Sequence, residues 1–163
     1  MKPNKIHELS FTMKIIDLKL VDFNALSDLP DDYKDTGIDK DKIQFEFNVG
    51  MNVGPIKKRI RINLNINFYT DVEKKILIGS LNSFGDFEVI DLDEIIKDFE
   101  GKIPNLILAN LIGVVLSTSR GFFILKSSGT IMENAMLPII NTNVFFPQVS
   151  EGLPNKENNI NPK

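Results

Sequence analysis

The chain has 163 residues, of which 42% are hydrophobic and 25% are charged, with a formal net charge of −3. This length fits one domain that buries its own core without a disulfide or metal staple. The negative charge disfavours nucleic acid or an anionic membrane as a partner. The lack of cysteine excludes a disulfide framework, a thiol nucleophile and a cysteine-based zinc site.

The sequence predicts a soluble cytoplasmic protein. Charged side chains interrupt the first twenty residues repeatedly, from Lys2 to Lys19, whereas a signal peptide needs about 7–15 uninterrupted apolar residues. The most apolar segment, residues 103–116, contains Pro104 and two asparagines. It is shorter than the roughly 20 residues of a membrane-spanning helix, so we expect a buried core helix without membrane insertion.

The first predicted element is a strand over residues 9–20 that continues or bends near residues 21–23. An acidic segment follows at 25–41, and its turn residues indicate a surface loop. The ordered spacing and terminal glutamate of an EF-hand are missing, which favours a solvated loop over a calcium site. Six aspartates belong to this loop: Asp28, Asp31, Asp32, Asp35, Asp39 and Asp41.

Two strands with strict alternation come next. Apolar residues occupy every second position of 43–53 and again of 60–68, which places one face of each strand on a core. The short connection at Gly54 and Pro55 predicts an antiparallel hairpin. A further strand or strand pair spans residues 75–90, and its interrupted alternation at 80–85 indicates a bulge or a bend.

Helices are predicted in the second half of the chain. Apolar residues at helical spacing follow Asp91, and Gly101 ends this short helix. Pro104 is well placed to begin the next helix, and Gly121 is a natural end for it. Strands followed by helices predict an α+β domain in which helices cover one face of an antiparallel sheet.

The last part of the chain has mixed character. Residues 122–125 form a short apolar run, 137–140 an extended segment, and 144–146 a final turn or strand. From residue 147 onward the sequence is polar and rich in asparagine and proline. We therefore expect a single domain over residues 1–146 and a disordered tail over 147–163.

The sequence offers little that resembles a catalytic centre. His7 is the only histidine, so neither a Ser/His/Asp triad nor a histidine-rich metal site can be assembled. The glycines do not form a phosphate-binding loop. The hydroxyls of 117–119 beside Arg120 are explained more simply by a helix C-terminus. We expect a protein that is not an enzyme and binds no cofactor or metal.

The segment 103–146 contains more apolar surface than one helix on one sheet face readily hides. One interpretation is that its aromatic and methionine side chains complete the core. The other is that they form an adaptable apolar groove for polypeptides. The candidates for this groove are Phe84, Phe87, Phe122, Phe123, Met132, Met136 and Leu137.

Two short motifs resemble the SecB family of protein-export chaperones and its SecB-like relatives. The first begins Pro104-Asn105-Leu106 and ends Leu116-Ser117-Thr118-Ser119-Arg120-Gly121, and the second is Leu137-Pro138-Ile139-Ile140-Asn141. The family has a helix that ends in a Ser/Thr-x-Arg-Gly signal and is followed by a Leu/Ala-Pro segment. The strand-rich first half with its acidic loop also matches the order of elements in this family.

The resemblance implies a four-stranded antiparallel sheet with helices, assembled as a dimer or a dimer of dimers through the sheets and the long helices. It also implies ATP-independent binding of unfolded or pre-export polypeptides in apolar grooves. The asparagines of one strand could bury their sheet face on a second copy, with a solvated face as the alternative. The candidate interface residues are Asn63, Asn65, Asn67, Leu106, Asn110, Gly113 and Ser117.

The chain departs from the export chaperones in two places. Residues 122–136 form a longer stretch than is typical, and the end of the chain lacks the zinc-assisted tail by which some members engage the SecA motor. Delivery of clients to a SecA-type motor and a solitary SecB-like role with an antitoxin client both stay open. The competing interpretations are a non-catalytic dimerising adaptor that binds one folded partner, and a domain that binds or converts a small molecule.

Overall fold

The computed structural model describes residues 11–54, 58–71, 73 and 76–146, so the predicted tail at 147–163 lies outside the described residues. Four strands precede two helices, in the order that the sequence predicts. The elements are β1 (Met13–Ala25), β2 (Gln44–Gly54), β3 (Arg59–Tyr69), β4 (Leu77–Val89), α1 (Leu92–Asp98) and α2 (Asn105–Ser127), with short 3-10 turns at Asp31–Tyr33, Lys40–Lys42 and Thr142–Phe145.

The strands form one antiparallel sheet in the order β1-β4-β3-β2, which confirms the predicted α+β class and the β2–β3 hairpin. Alternate residues of β3 and β4 are buried beneath the helices, and the residues between them lie on the opposite face. We call these the helix face and the outer face. The two strands at the edges of the sheet are β1 and β2.

The predicted irregularity of the fourth strand lies in its partner instead. β4 is regular over residues 80–85, whereas β1 contains extra residues at Ile16 and Val21, where its register with β4 shifts. The bend predicted near residues 21–23 is therefore present as a bulge. A further shift against β3 leaves one extra residue of β4, Ile78. Gly85 interrupts the apolar alternation of β4 because a Cβ there would lie 2.7 Å from Cγ2 of Val115 in α2.

The long helix extends six residues beyond its predicted end, since it continues from Gly121 to Ser127. A Cβ on Gly121 would meet no atom within 4 Å. Glycine inside a helix costs about 1 kcal/mol relative to alanine, and burial of Phe123 two residues later offsets this cost. The prediction that Gly121 ends the helix was wrong for this reason.

The helix α2 forms the centre of the hydrophobic core. Its buried face carries Ile107, Leu111, Val115 and Phe123, which pack against the apolar rows of the sheet. Among the described residues, α2 is the one helix long and apolar enough to cross a membrane, and half of its most apolar window is buried inside the structure. The core helix of a globular domain has this same pattern.

Candidate functional site

The helix face of β2 is only partly covered. β3, the neighbouring strand, buries five apolar side chains completely or nearly so. On β2, Phe45, Phe47 and Val49 are half-buried, and Met51 and Val53 expose 45% and 43% of their surface. A row of apolar side chains on an edge strand is therefore open to a partner.

One end of this row opens into an apolar cavity of about 160 Å³. The sheet, α2 and the last described residues of the chain each supply part of its wall. Every side chain in the lining is apolar, so the cavity offers burial without hydrogen-bonding requirements. The lining residues are Val49, Met51, Ile62, Leu108, Ile112, Phe145 and Phe146.

The other end of the row opens into a second, more polar cavity of about 430 Å³. Phe45, Met136 and Pro138 supply its apolar part, and Lys40 and Asp41 lie at its border. From Phe45 to Met51 the strand advances six residues, or about 20 Å at roughly 3.3 Å per residue. We call the row on β2 together with the two cavities the β2 groove.

The backbone of β2 is available beside this groove. Within the described ranges, β2 pairs with β3 and with no strand on its other side. An edge strand of this kind presents unpaired N–H and C=O groups to which an extended polypeptide can add as a further strand. The groove and the edge together suit a ligand that offers backbone hydrogen bonds and apolar side chains at alternate positions.

An aromatic cluster lies behind the wall of the β2 groove. The ring of Phe45 lies 5.8 Å from that of Phe68 and 6.4 Å from that of Phe123, centroid to centroid, both edge-on. Phe68 and Phe123 are fully buried and lie 5.2 Å apart. Edge-on ring pairs at these separations are favourable, so Phe45 is a fixed part of the groove wall.

The segment 138–146, which we call the strap, leads from the core to the apolar cavity. The guanidinium of Arg120 in α2 donates to the carbonyl oxygen of Pro138, over 2.7 Å from Nη2 and 3.3 Å from Nε. The Asn141 side chain accepts from the Asn143 N–H at 3.1 Å and begins the last 3-10 turn. The strap thus places Phe145 and Phe146 in the wall of the apolar cavity.

A second cation holds the segment that precedes the strap. Lys40 of the β1–β2 loop donates to the carbonyl oxygen of Ile131. Burial of the ammonium lowers the pKa of Lys40, and the nearby carboxylate of Glu133 partly opposes this effect. The loop at the start of the groove is therefore joined to the chain that follows α2.

The residues predicted to bind polypeptides occupy different environments. Met136 is 76% exposed and lines the β2 groove, and Phe122 is half-buried near the core. Phe84 lies on the outer face, where the Arg61 guanidinium stacks 4.3 Å from the centre of its ring. The remaining four are buried in the core of the chain: Phe87, Phe123, Met132 and Leu137.

The predicted interface residues of α2 lie on one exposed stripe. Leu106, Asn110 and Ser117 are exposed and Gly113 is half-buried. Beside them, Ile139 of the strap exposes 91% of its surface and contributes to an open cleft of about 580 Å³ along the helix. The stripe is accessible to a second molecule.

The predicted interface residues of the sheet lie on the outer face, where a chain of hydrogen bonds crosses all four strands. Asn48 donates to Asn65 at 3.4 Å, Asn65 to Asn82 at 2.7 Å, and Asn82 to Asp22 at 2.6 Å. The bulge at Val21 sets the register in which Asp22 meets Asn82. Asn63 and Asn67 border this chain on β3.

The described residues contain no group of three or more histidine, aspartate or glutamate side chains that could hold a metal ion. The charged pair with the best geometry is Arg61 and Asp86, joined by two hydrogen bonds of 2.7 Å on the outer face. It links two neighbouring strands on the outer face of the sheet, so its evident effect is structural.

Comparisons with known proteins place this fold. No family model and no curated protein matches the chain, but solved structures do. A SecB-like chaperone from Mycobacterium tuberculosis, in complex with a ChAD peptide from the HigA1 antitoxin, superposes with a TM-score of 0.55 over 78% of this chain and 89% of that chain, at 11% identity. A protein of unknown function from Streptococcus agalactiae has a TM-score of 0.40 at 10% identity, over 80% of this chain and all of that one.

The first of these matches confirms the SecB-like fold that the two sequence motifs indicated. The motifs also prove to be joined in space, because Arg120 of the first donates to Pro138 of the second. At 11% identity the similarity concerns the fold. The case for a function therefore depends on the groove itself.

Proposed function

We propose that this protein is an ATP-independent chaperone that holds unfolded polypeptides in the β2 groove. The observation that carries the proposal is the partly covered apolar row from Phe45 to Val53 on an edge strand, next to a cavity lined by apolar side chains alone. Because burial of apolar surface is non-directional, such a groove accepts many sequences. No chemical step is needed for this activity.

The free energies of apolar burial and of client ordering are consistent with reversible binding of a client. Burial of one large apolar side chain contributes about 1.5–3 kcal/mol, and the groove offers space for a few such side chains over its length. Ordering of a disordered client costs about 2–5 kcal/mol. One groove therefore binds a single segment weakly, and several grooves in one assembly bind a long client more tightly through their combined effect.

Assembly is the second part of the proposal. The exposed stripe of α2, with Leu106, Asn110, Gly113 and Ser117, is the surface that a second copy would cover in a dimer or a dimer of dimers. Ser117→Arg places a charge in this stripe at an exposed position. We expect it to dissociate the assembly, as measured by light scattering behind a size-exclusion column, and a wild-type protein that is a monomer would contradict the proposal.

The clients we propose are unfolded cytoplasmic polypeptides, including preproteins or an antitoxin. The SecB-like chaperone of similar fold was solved with an antitoxin peptide, which supports a peptide segment as the ligand. Transfer of the client to a SecA-type motor would place the protein in export, and a client that is released to fold would place it in a solitary role. Reconstitution with and without a translocation motor separates the two.

The decisive experiment compares two variants at similarly exposed apolar side chains. Met51→Ser changes the β2 groove, and Leu77→Ser changes the start of β4 outside it, where Leu77 is 51% exposed. The ligand is a reduced, carboxymethylated polypeptide that cannot fold. We expect Met51→Ser to raise the Kd about tenfold, which corresponds to about 1.4 kcal/mol, and Leu77→Ser to leave it unchanged.

The second candidate function is an adaptor that binds one folded partner. The observation that favours it is the exposed α2 stripe beside Ile139, a surface suited to a folded protein rather than an extended one. Client breadth separates the two functions. A chaperone suppresses aggregation of several unrelated unfolded proteins, whereas an adaptor has no effect on them.

A further inference from the structure

We infer that Arg120 is a positioning residue for the β2 groove: its guanidinium fixes the strap, and with it the aromatic wall on which polypeptide binding depends. This inference deepens the proposed function and rests on it. Arg120 itself lines the cleft on the other side of α2 and is not part of the groove lining. It acts through the backbone that it holds.

Contacts other than those of Arg120 also bear on the position of the strap. Leu137 is buried and anchors the chain just before the strap, whereas Ile139 is almost fully exposed. The strap packs on the core again at Phe145 and Phe146. In the part of the chain that the structure describes, the recorded hydrogen bonds from other elements to the strap are the two from Arg120 to Pro138. The remaining ones, such as Val144 to Asn141, lie within the strap itself.

The contact of Arg120 with the carbonyl oxygen of Pro138 is both strong and directional. Hydrogen bonds from an ionised donor are stronger than neutral ones, and the planar guanidinium presents Nε and Nη2 to the same carbonyl in a fixed arrangement. A lysine at this position offers its donors from one nitrogen on a flexible stem. The contact therefore fixes the direction of the backbone at Pro138, and not only its distance from α2.

The direction of the backbone at Pro138 affects the β2 groove through the strap. The strap runs from Pro138 through the turn Thr142–Phe145 to Phe146. Phe145 and Phe146 are half-buried and close the apolar cavity against Val49 and Met51 of β2. If the strap moves away, a bound side chain loses the contacts of one wall, and the cavity becomes open surface. Loss of the Arg120 contact with Pro138 therefore weakens client binding, although no residue that touches the client is changed.

The test uses Arg120→Met, which keeps the aliphatic stem, and Arg120→Lys, which keeps the charge and one donor. Lys126→Met, an exposed cation at the end of the same helix, is the matched control. For each full-length variant we measure the Kd of the carboxymethylated polypeptide, amide hydrogen exchange across residues 139–146, the assembly state and thermal unfolding. We expect Arg120→Met to raise the Kd about tenfold and to accelerate exchange in the strap, with exchange in β3 unchanged.

Arg120→Lys should fall between wild type and Arg120→Met in both measurements, and Lys126→Met should match wild type. Unchanged exchange in the strap of Arg120→Met would overturn the inference, as would faster exchange with an unchanged Kd. A wild-type protein that binds no unfolded polypeptide refutes the proposed function instead, and the exchange data then still decide whether Arg120 fixes the strap. The two failures are thereby distinguishable.

Discussion

The hydroxyl oxygens of Ser83 and Ser119 lie 2.7 Å apart in the core, where they join β4 to α2. Both side chains are buried. Ser119 also donates to the carbonyl oxygen of Val115 at 2.8 Å, and because a hydroxyl has one hydrogen, Ser83 is the donor to Ser119. Ser83 lies two residues from Gly85, where a Cβ would be 2.7 Å from Cγ2 of Val115, so a polar contact and a close helix–sheet approach are neighbours.

The two serines make unequal contributions to stability. Ser119→Ala leaves the Ser83 hydroxyl buried without its acceptor, which costs about 1–3 kcal/mol. Ser83→Ala leaves Ser119 bonded to Val115 and should cost less. Denaturant unfolding of both single variants and of the double variant checks this. Additive losses would show that the two hydroxyls do not interact.

Gly85 permits the close approach of α2 to β4, and Gly121 has no such role. A Cβ on residue 85 would lie 2.7 Å from Val115 and 2.9 Å from Leu18, so Gly85→Ala should destabilise the fold by about 1–3 kcal/mol through overpacking. Gly121→Ala meets open space and should stabilise α2 by up to about 1 kcal/mol. Thermal unfolding midpoints should therefore move in opposite directions, and two shifts of the same sign would contradict this account of the glycines.

The fold was predictable because its signals are local. The period of two in residues 43–53 and 60–68 fixed the faces of β2 and β3, and the observed register pairs Phe45 with Phe68 as the hairpin requires. The order of the strands was not predictable in this way. β2 and β3 have the same apolar pattern, and only the long-range pairing of β3 with β4 makes one an edge and the other a centre.

The candidate site was mostly missed for the same reason. The sequence identified Met136 of the groove but not Phe45, Val49 or Met51, since exposure on an edge strand depends on where α2 crosses the sheet. Because the helix was predicted to end at Gly121, Phe122 and Phe123 were placed outside it. A helix that continues places Phe123 four residues after Ser119 on the buried face, and this spacing was a signal that could have been used.

The two adjacent phenylalanines of α2 provide a direct test of that assignment. Phe123 is fully buried among Phe23, Phe45 and Phe68, so Phe123→Ala should cost about 3–5 kcal/mol of unfolding free energy. Phe122 is only half-buried, and Phe122→Ala should cost clearly less. Equal losses in denaturant unfolding would place both side chains in comparable environments, contrary to the structure.

The last prediction concerns the outer face of the sheet at acidic pH. The hydrogen bonds from Arg61 lower the pKa of Asp86 below its ordinary value of 3.8, with burial as a smaller opposing effect. A carboxylate whose pKa is lower in the folded state stabilises that state above the unfolded pKa, and this contribution is lost as the pH falls through the folded pKa. The pair should therefore contribute fully at neutral pH and progressively less below the ordinary carboxyl range.

Asp86→Asn removes this titration. The unfolding free energy of the variant should lie below that of wild type at neutral pH, by no more than about 1 kcal/mol for a pair near the surface. The difference should shrink as the pH falls below about 4 and through the lowered pKa of folded Asp86, where the wild-type carboxylate becomes protonated. Asp35→Asn, a change in the exposed β1–β2 loop, is the control and should follow wild type across the series. A difference between Asp86→Asn and wild type that stays constant down to strongly acidic pH would show that the Arg61 contact does not favour the charged form of Asp86.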